Sequence, residues 1–196
     1  MRGYFGIGID GPSKSGNMGN LIRTAHAFGA AFAFAVKPHV VALTGEVVTS
    51  AFADTSKTHQ QLPFYTYDHA DAVEVPQGCR LVGVEMCDEA VDLPSFRHPM
   101  QAVYVLGGER TSLSEPMAAR CDHMIKIPTK FSLNVATAGA IVMYDRLRMI
   151  GGFAERPVMA GAEPQEKPVH RHGGRISRSE GLGRKQQKRR PVDKET

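Results

Sequence analysis

At 196 residues with 42% hydrophobic side chains, the chain has the length and apolar content of one soluble domain with its own core and a short appendage. The net charge of +4 is unevenly spread: residues 165–196 hold ten Lys or Arg against four Asp or Glu, a surplus of +6 that leaves −2 for residues 1–164. No apolar run approaches bilayer length, the first residues do not resemble a secretory leader, and Cys79, Cys87 and Cys121 follow no CxxC spacing, which argues against membrane-spanning, secreted-disulfide and zinc-ribbon classes and for the cytoplasm.

Tyr4–Asp10 alternates Gly with aromatic and β-branched residues and predicts a first buried strand, followed by the loop Gly-Pro-Ser-Lys-Ser-Gly. Two nucleotide-binding motifs are nearly matched here. Gly6, Gly8 and Gly11 fit GxGxxG, but they sit inside the strand; Gly11 to Gly16 fits the first six places of a P-loop, but Asn17 stands where the phosphate-binding Lys belongs. Asn17 is a good N-cap, and Leu21, Ile22, Ala25 and Phe28 recur at helical spacing until Gly29. Arg23 falls between these apolar positions, near enough to the helix start to reach back over the loop.

Ala31–Val36 predicts a second strand packed on both faces and closed by Lys37, Pro38 and His39. Glu46–Phe52 reads as a short helix and Thr55–Gln61 as a polar loop holding His59. Phe64–Tyr67 suggests a short strand, with Asp68 capping a helical turn through Val73. Cys79–Glu85 is a buried strand, and Ala90 to Pro99 connects it to the next.

The strand containing Val103 and Val105 ends in Gly107 and Gly108, with Glu109 immediately after. Backbone amides and an acid therefore meet at a sheet edge, where α/β sheets place ligands. Met124–Ile127 stops at Pro128, and Ser132 and Asn134 open an alanine-rich helix that runs to about Ile150 and ends at Gly151 and Gly152. Residues 1–154 are expected to form the domain and 155–196 a basic, disordered tail, too poor in large apolar residues to offset its ordering entropy. Within that tail, Arg184–Arg190 could hold RNA phosphates by charge.

Three stretches, in this order, resemble the motifs of the SpoU (TrmH-like) RNA ribose methyltransferases of the SPOUT superfamily: Asn17 to Ala25 (NMGNLIRTA), Gly107-Gly108-Glu109, and Ile127 to Ala136 (IPTKFSLNVA). The chain departs from that pattern at Gly108, often Asn in the family, at Ser112, usually Gly, and in the short segment between Pro128 and Ser132. The resemblance implies an α/β fold, a mostly parallel sheet flanked by helices, whose C-terminal segment threads a deep trefoil knot against the usual rule for chain connections. It also implies a homodimer with sites at the subunit interface, S-adenosylmethionine as methyl donor, tRNA or rRNA as substrate and no metal. A separate N-terminal RNA-binding domain, present in many relatives, is not expected.

By the same resemblance Arg23 is the central catalytic residue, Asn17 supports it, Glu109 holds Arg23 or the substrate, and Ser132 and Asn134 hydrogen-bond near the reacting oxygen. A protonated guanidinium is a poor base, so the consistent role for Arg23 is to stabilise developing alkoxide charge, and whether it also accepts the proton stays open. Val84, Glu85, Leu106, Gly107, Ile127, Ser132 and Leu133 correspond to cofactor positions, although Glu85 could equally do no more than close a strand. Two rival functions are a non-catalytic RNA-binding protein that retains the SPOUT fold and a nucleotide-binding enzyme built on Gly6 to Gly16.

Overall fold

Strand β1 (Tyr4–Asp10) sends Phe5, Ile7 and Ile9 to one face of a sheet and Gly6 and Gly8 to the other. The glycine face is filled from strand β2 (Phe32–Val36): a Cβ on Gly8 would lie 2.6 Å from the Phe34 ring, and one on Gly6 would strike Phe32. The near match to a dinucleotide motif therefore has a packing cause.

The computed structural model describes residues 3–37 and 61–164. Its further strands are β3 (Phe64–Tyr67), β4 (Arg80–Val84), the two-residue β5 (Val91–Asp92), β6 (Gln101–Gly107) and β7 (His123–Lys126). They form one sheet in the order β3-β2-β1-β6-β4-β7-β5, and every pairing is parallel. All strands thus point their carboxyl ends the same way.

Helices α1 (Ser15–Phe28) and α3 (Val135–Ile150) pack on each other and on one face of the sheet. Met18, Leu21 and Ile22 from α1 and Val142 and Met143 from α3 meet Ile7, Ile9, Tyr104 and Leu106 there. Gly139 lets the Leu21 side chain reach the α3 backbone, where any Cβ would collide with it. The short helix α2 (Glu115–Arg120) covers the other face, its Met117 joining Phe34, Leu81, Val103, Val105 and Leu113. Each large aliphatic side chain fully buried in this way stabilises the fold by roughly 1.5–3 kcal/mol. A one-residue slip in any central strand would exchange the two faces, so the strand ends are held in register.

Helix ends match the sequence reading in part. Gly29 closes α1 in the left-handed region at φ 77°, and the Asn134 side chain caps α3 by accepting from the amides of Ala136 and Thr137. Asn17, however, is inside the first turn of α1, whose N-cap is Lys14 with no side-chain bond. The Asn17 carboxamide is committed to long-range partners instead. The helical turn expected after Asp68 is a 3-10 turn, Ala70–Ala72, capped by His69, whose Nδ1 accepts from the Ala72 amide at 3.1 Å.

At the opposite end of the sheet α3 turns a buried Arg146 onto the starts of β1 and β6. Its guanidinium donates to the carbonyls of Pro99 (2.5 Å), Met100 (2.8 Å) and Tyr4 (3.3 Å) and to the Tyr104 hydroxyl (3.2 Å), and it lies 5.1 Å from the Phe5 ring centre. His98 extends the cluster, 2.7 Å from the Tyr104 hydroxyl and 3.2 Å from Asp145.

The chain divides into two units, Met1–Gly152 and Phe153–Thr196; in the second, residues 153–164 form no helix or strand. The expected helix at Glu46–Phe52, His59 and the basic run Arg184–Arg190 lie outside the described residues. Among the described residues no helix is long and apolar enough to cross a membrane.

Candidate active site at the carboxyl ends of the strands

The carboxyl ends of β4, β6 and β7 open beside the start of α3 and the first turn of α1. Between them lies a cleft of about 550 Å³, within the usual range for small-molecule sites. Val84, Leu106, Ile127 and Leu133 form its apolar part; Asn17, Glu85, Glu109, Ser132 and Asn134 bring polar groups to it, and Gly107 presents bare backbone. Every candidate catalytic and donor-binding residue named by resemblance borders this cleft except Arg23.

A chain of hydrogen bonds ties the three motifs together. The Asn17 carboxamide donates to Glu109 Oε1 at 2.8 Å, and its oxygen accepts from the Asn134 carboxamide at 3.0 Å. Asn134 does this with its nitrogen while its oxygen caps α3, so one side chain serves the helix and the site together. The other Glu109 oxygen accepts from both the amide and the hydroxyl of Ser13, each at 2.7 Å. Burial by itself would raise the Glu109 pKa, but the bonds from Ser13 and Asn17 outweigh it and the net shift is downward. Glu109 is thus a stable carboxylate anchor, poorly suited to act as an acid.

The loop after β6 is fastened on both sides. Glu85 accepts from the Leu113 amide at 2.9 Å and from the Met86 amide at 3.0 Å, and the buried Asp10 accepts from the Ser114 amide at 2.8 Å. Glu85 therefore does more than close β4: it borders the cleft and holds the loop that forms one wall. Gly108 sits where a Cβ would strike the Gly11 carbonyl, so the loops after β1 and β6 approach more closely than any side chain at that position allows.

Arg23 stands outside this network. It lies six residues past Asn17 on α1, about 9 Å farther along the axis and about 120° around it. Its side chain is exposed, and among the described residues it has no hydrogen bond or ion pair. Glu109, its expected partner, is taken by Ser13 and Asn17.

Sequence reasoning missed Ser13 and Asp10. The available signal was their place at the first strand's end, which faces the end of β6 in a parallel pair: Asp10 aligns with Gly107. Burial, with the Asp122 carboxylate, pushes the Cys121 thiol up to about 11, which keeps it protonated and a poor nucleophile near neutral pH.

Comparison with known proteins places this arrangement. The SpoU rRNA Methylase family model matches residues 5–144. The tRNA (guanosine(18)-2′-O)-methyltransferase of Escherichia coli K12 is 27% identical over 179 residues, covering 86% of this chain and 77% of that protein. The mouse tRNA (guanosine(18)-2′-O)-methyltransferase TARBP1 is 30% identical over 159 residues, covering 76% of this chain; the match spans 10% of that much longer protein. Among solved structures, the SpoU methyltransferase AviRb from Streptomyces viridochromogenes is similar with a TM-score of 0.63 and 26% identity, over 76% of this chain and 61% of that one. AviRb has also been solved in complex with the cofactor AdoMet, at a TM-score of 0.61 and 24% identity over 74% of this chain and 60% of that one. With its three motifs joined around one cleft and the family model covering more than half of its length, the chain belongs to the SpoU rRNA Methylase family.

Proposed function

We propose that this protein transfers a methyl group from S-adenosylmethionine to a ribose 2′-hydroxyl of tRNA or rRNA. The observation that carries the reading is the Glu109–Asn17–Asn134 chain of hydrogen bonds on the rim of the cleft, which joins all three family motifs. The E. coli and mouse relatives, named for the same transfer on tRNA, support it.

The cleft suits the donor in shape and charge. Val84, Leu106, Ile127 and Leu133 offer an apolar seat for a flat heterocycle, Gly107 lets backbone approach its edge, and Glu85 and Glu109 place carboxylates near a cationic sulfur. When bound, the donor supplies a methyl group activated by its positive sulfur. The remaining work belongs to side chains. Ser132 and Asn134 orient the ribose hydroxyl, and Asn17 and Glu109 hold Asn134 and the loops in place.

Arg23 acts from a second copy of the chain. It is exposed and is not among the residues that border its own cleft, whereas in a homodimer it would reach the partner's, where it stabilises charge developing on the ribose oxygen. Tyr144 and Met149, 52% and 41% exposed on α3, offer apolar surface for such a contact. The trefoil threading expected from the family belongs to the same reading. Its support is the sheet order, with β6 between β1 and β4, and the return of α3 onto α1. The protein acts in the cytoplasm, with residues 1–154 as the catalytic domain and 155–196 as a basic tail.

Incubation with labelled S-adenosylmethionine and total tRNA or ribosomal RNA, followed by mapping of ribose methylation, tests the proposal. Transfer to a 2′-hydroxyl is expected. Binding of RNA without any transfer would favour the non-catalytic alternative.

A further inference from the structure

The short loop between β7 and α3 borders the cleft at both ends, through Thr129 and Ser132. Between them Phe131 is 75% exposed, more than any other large apolar side chain described in Met1–Gly152. An aromatic ring so far out of the core gains nothing from folding. The backbone beneath it is nonetheless held: the Thr129 hydroxyl donates to the Phe131 carbonyl at 2.9 Å, and the Thr129 amide donates to the Ile127 carbonyl at 2.8 Å. The ring is therefore presented from a fixed base, and a ligand that ordered it would need to immobilise only its two side-chain torsions.

Its chain neighbour Lys130 is cationic, and Lys14 and Arg110 border the cleft that Thr129 and Ser132 also border; none of the three pairs with a carboxylate among the described residues. An aromatic face beside unpaired cations is how proteins hold unpaired nucleic acid, with bases stacked on rings and phosphates on the charges.

We propose that Phe131 is a stacking platform for a nucleobase of an unpaired stretch of the substrate RNA, and so a specificity-determining residue that selects unpaired over duplex RNA. The proposal rests on the methyl-transfer reading of the cleft. Within a duplex both faces of a base are covered by its neighbours, so paired RNA gains nothing from the ring until a base is extruded.

The test compares the full chain with Phe131→Ala, Phe131→Leu and Phe131→Tyr, using steady-state methyl transfer to total tRNA and binding of a short 2-aminopurine oligoribonucleotide, single-stranded or annealed. Phe131→Ala and Phe131→Leu should raise KM for RNA roughly five- to hundredfold with kcat little changed, and should abolish the preference for the single strand. Phe131→Tyr, which keeps a ring face, should behave as wild type. Donor affinity by calorimetry and sedimentation behaviour should be the same in all four proteins. Unchanged KM in Phe131→Ala, wild-type behaviour of Phe131→Leu, or a change in sedimentation would each overturn stacking while leaving the methyl-transfer reading intact. Failure of the wild type to methylate any RNA would remove that reading and this proposal with it.

Discussion

Asn17 and Asn134 stand 117 positions apart in sequence, and their carboxamides meet at 3.0 Å. Through Asn17 the contact reaches Glu109, and through Asn134 it reaches the first turn of α3. The first helix, the loop after β6 and the last helix are therefore joined by side chains as well as by the core.

Replacing Asn17 with Ala removes a donor to an ionised carboxylate and frees the Asn134 amide. The expected cost is about 1.5–3 kcal/mol, with a matching loss of methyl transfer. Asn17→Asp should be worse, because it faces the Glu109 carboxylate with a second one and pushes the pair's titration upward. Urea denaturation of the three proteins at neutral pH and at pH 5 checks the order.

Gly108→Ala and Gly108→Asn place a Cβ against the Gly11 carbonyl, so the loops after β1 and β6 must separate. Destabilisation of about 1–3 kcal/mol is expected, together with weaker donor binding, since Gly107 and Glu109 on either side border the cleft. Thermal melting and calorimetry with S-adenosylmethionine measure the two effects. A Gly108→Asn protein as stable as wild type would show that the loops can part freely.

Arg23→Ala should bind the donor normally and lose on the order of a hundredfold or more in kcat. Because Arg23 is assigned to the partner's cleft, mixing inactive Arg23→Ala with inactive Asn134→Ala should restore about a quarter of wild-type transfer. Half of the randomly paired dimers are mixed, and each of those has one intact site. No recovery on mixing would place Arg23 in its own chain's site or in none.

His98 gives the fold a pH dependence. Burial lowers its pKa below the ordinary 6.5; the Asp145 carboxylate pulls upward without prevailing, and the Arg146 guanidinium adds to the depression. A group with a depressed pKa in the folded state contributes its full stability above the unfolded value and loses it as pH falls. Melting temperature should thus decline as pH drops from 6.5 through the lowered His98 value. Glu109, also lowered, adds a second decline below its ordinary 4.5. In His98→Gln the first decline should vanish and the second persist.

Arg146→Met keeps most of the volume but leaves the Pro99 carbonyl without its donor and takes one of two donors from the Met100 carbonyl, which also accepts from the Tyr4 amide. A loss of about 1–3 kcal/mol is expected from the unpaired Pro99 carbonyl, read as a lower urea midpoint. The cleft is at the other end of the sheet, so kcat of the folded variant should be unchanged.

Much of the sheet is legible in the chain because Val103, Val105 and the Phe32–Val36 run are β-branched or aromatic and bounded by glycine, proline or charge. Asn134 is legible as a cap because it precedes an alanine-rich helical pattern. Asn17 has the same appearance and a different role: an Asn near a helix start caps or reaches outward depending on what faces it, and Glu109 arrives from 92 positions away. Arg146 looks like any charge on a helix. Its carbonyl partners belong to the starts of β1 and β6, which only the folded sheet brings together. Arg23 is visible as a motif residue, but a motif does not say which subunit a side chain serves.

The double duty of Asn134 also orders events during synthesis. A nascent polypeptide can pair β1 with β6 while still on the ribosome, yet Asn17 lacks its final tether until residues 134 to 150 have left the exit tunnel and coiled. Competence for chemistry therefore waits on α3, and a chain cut before residue 134 lacks the bond that joins its first and last motifs.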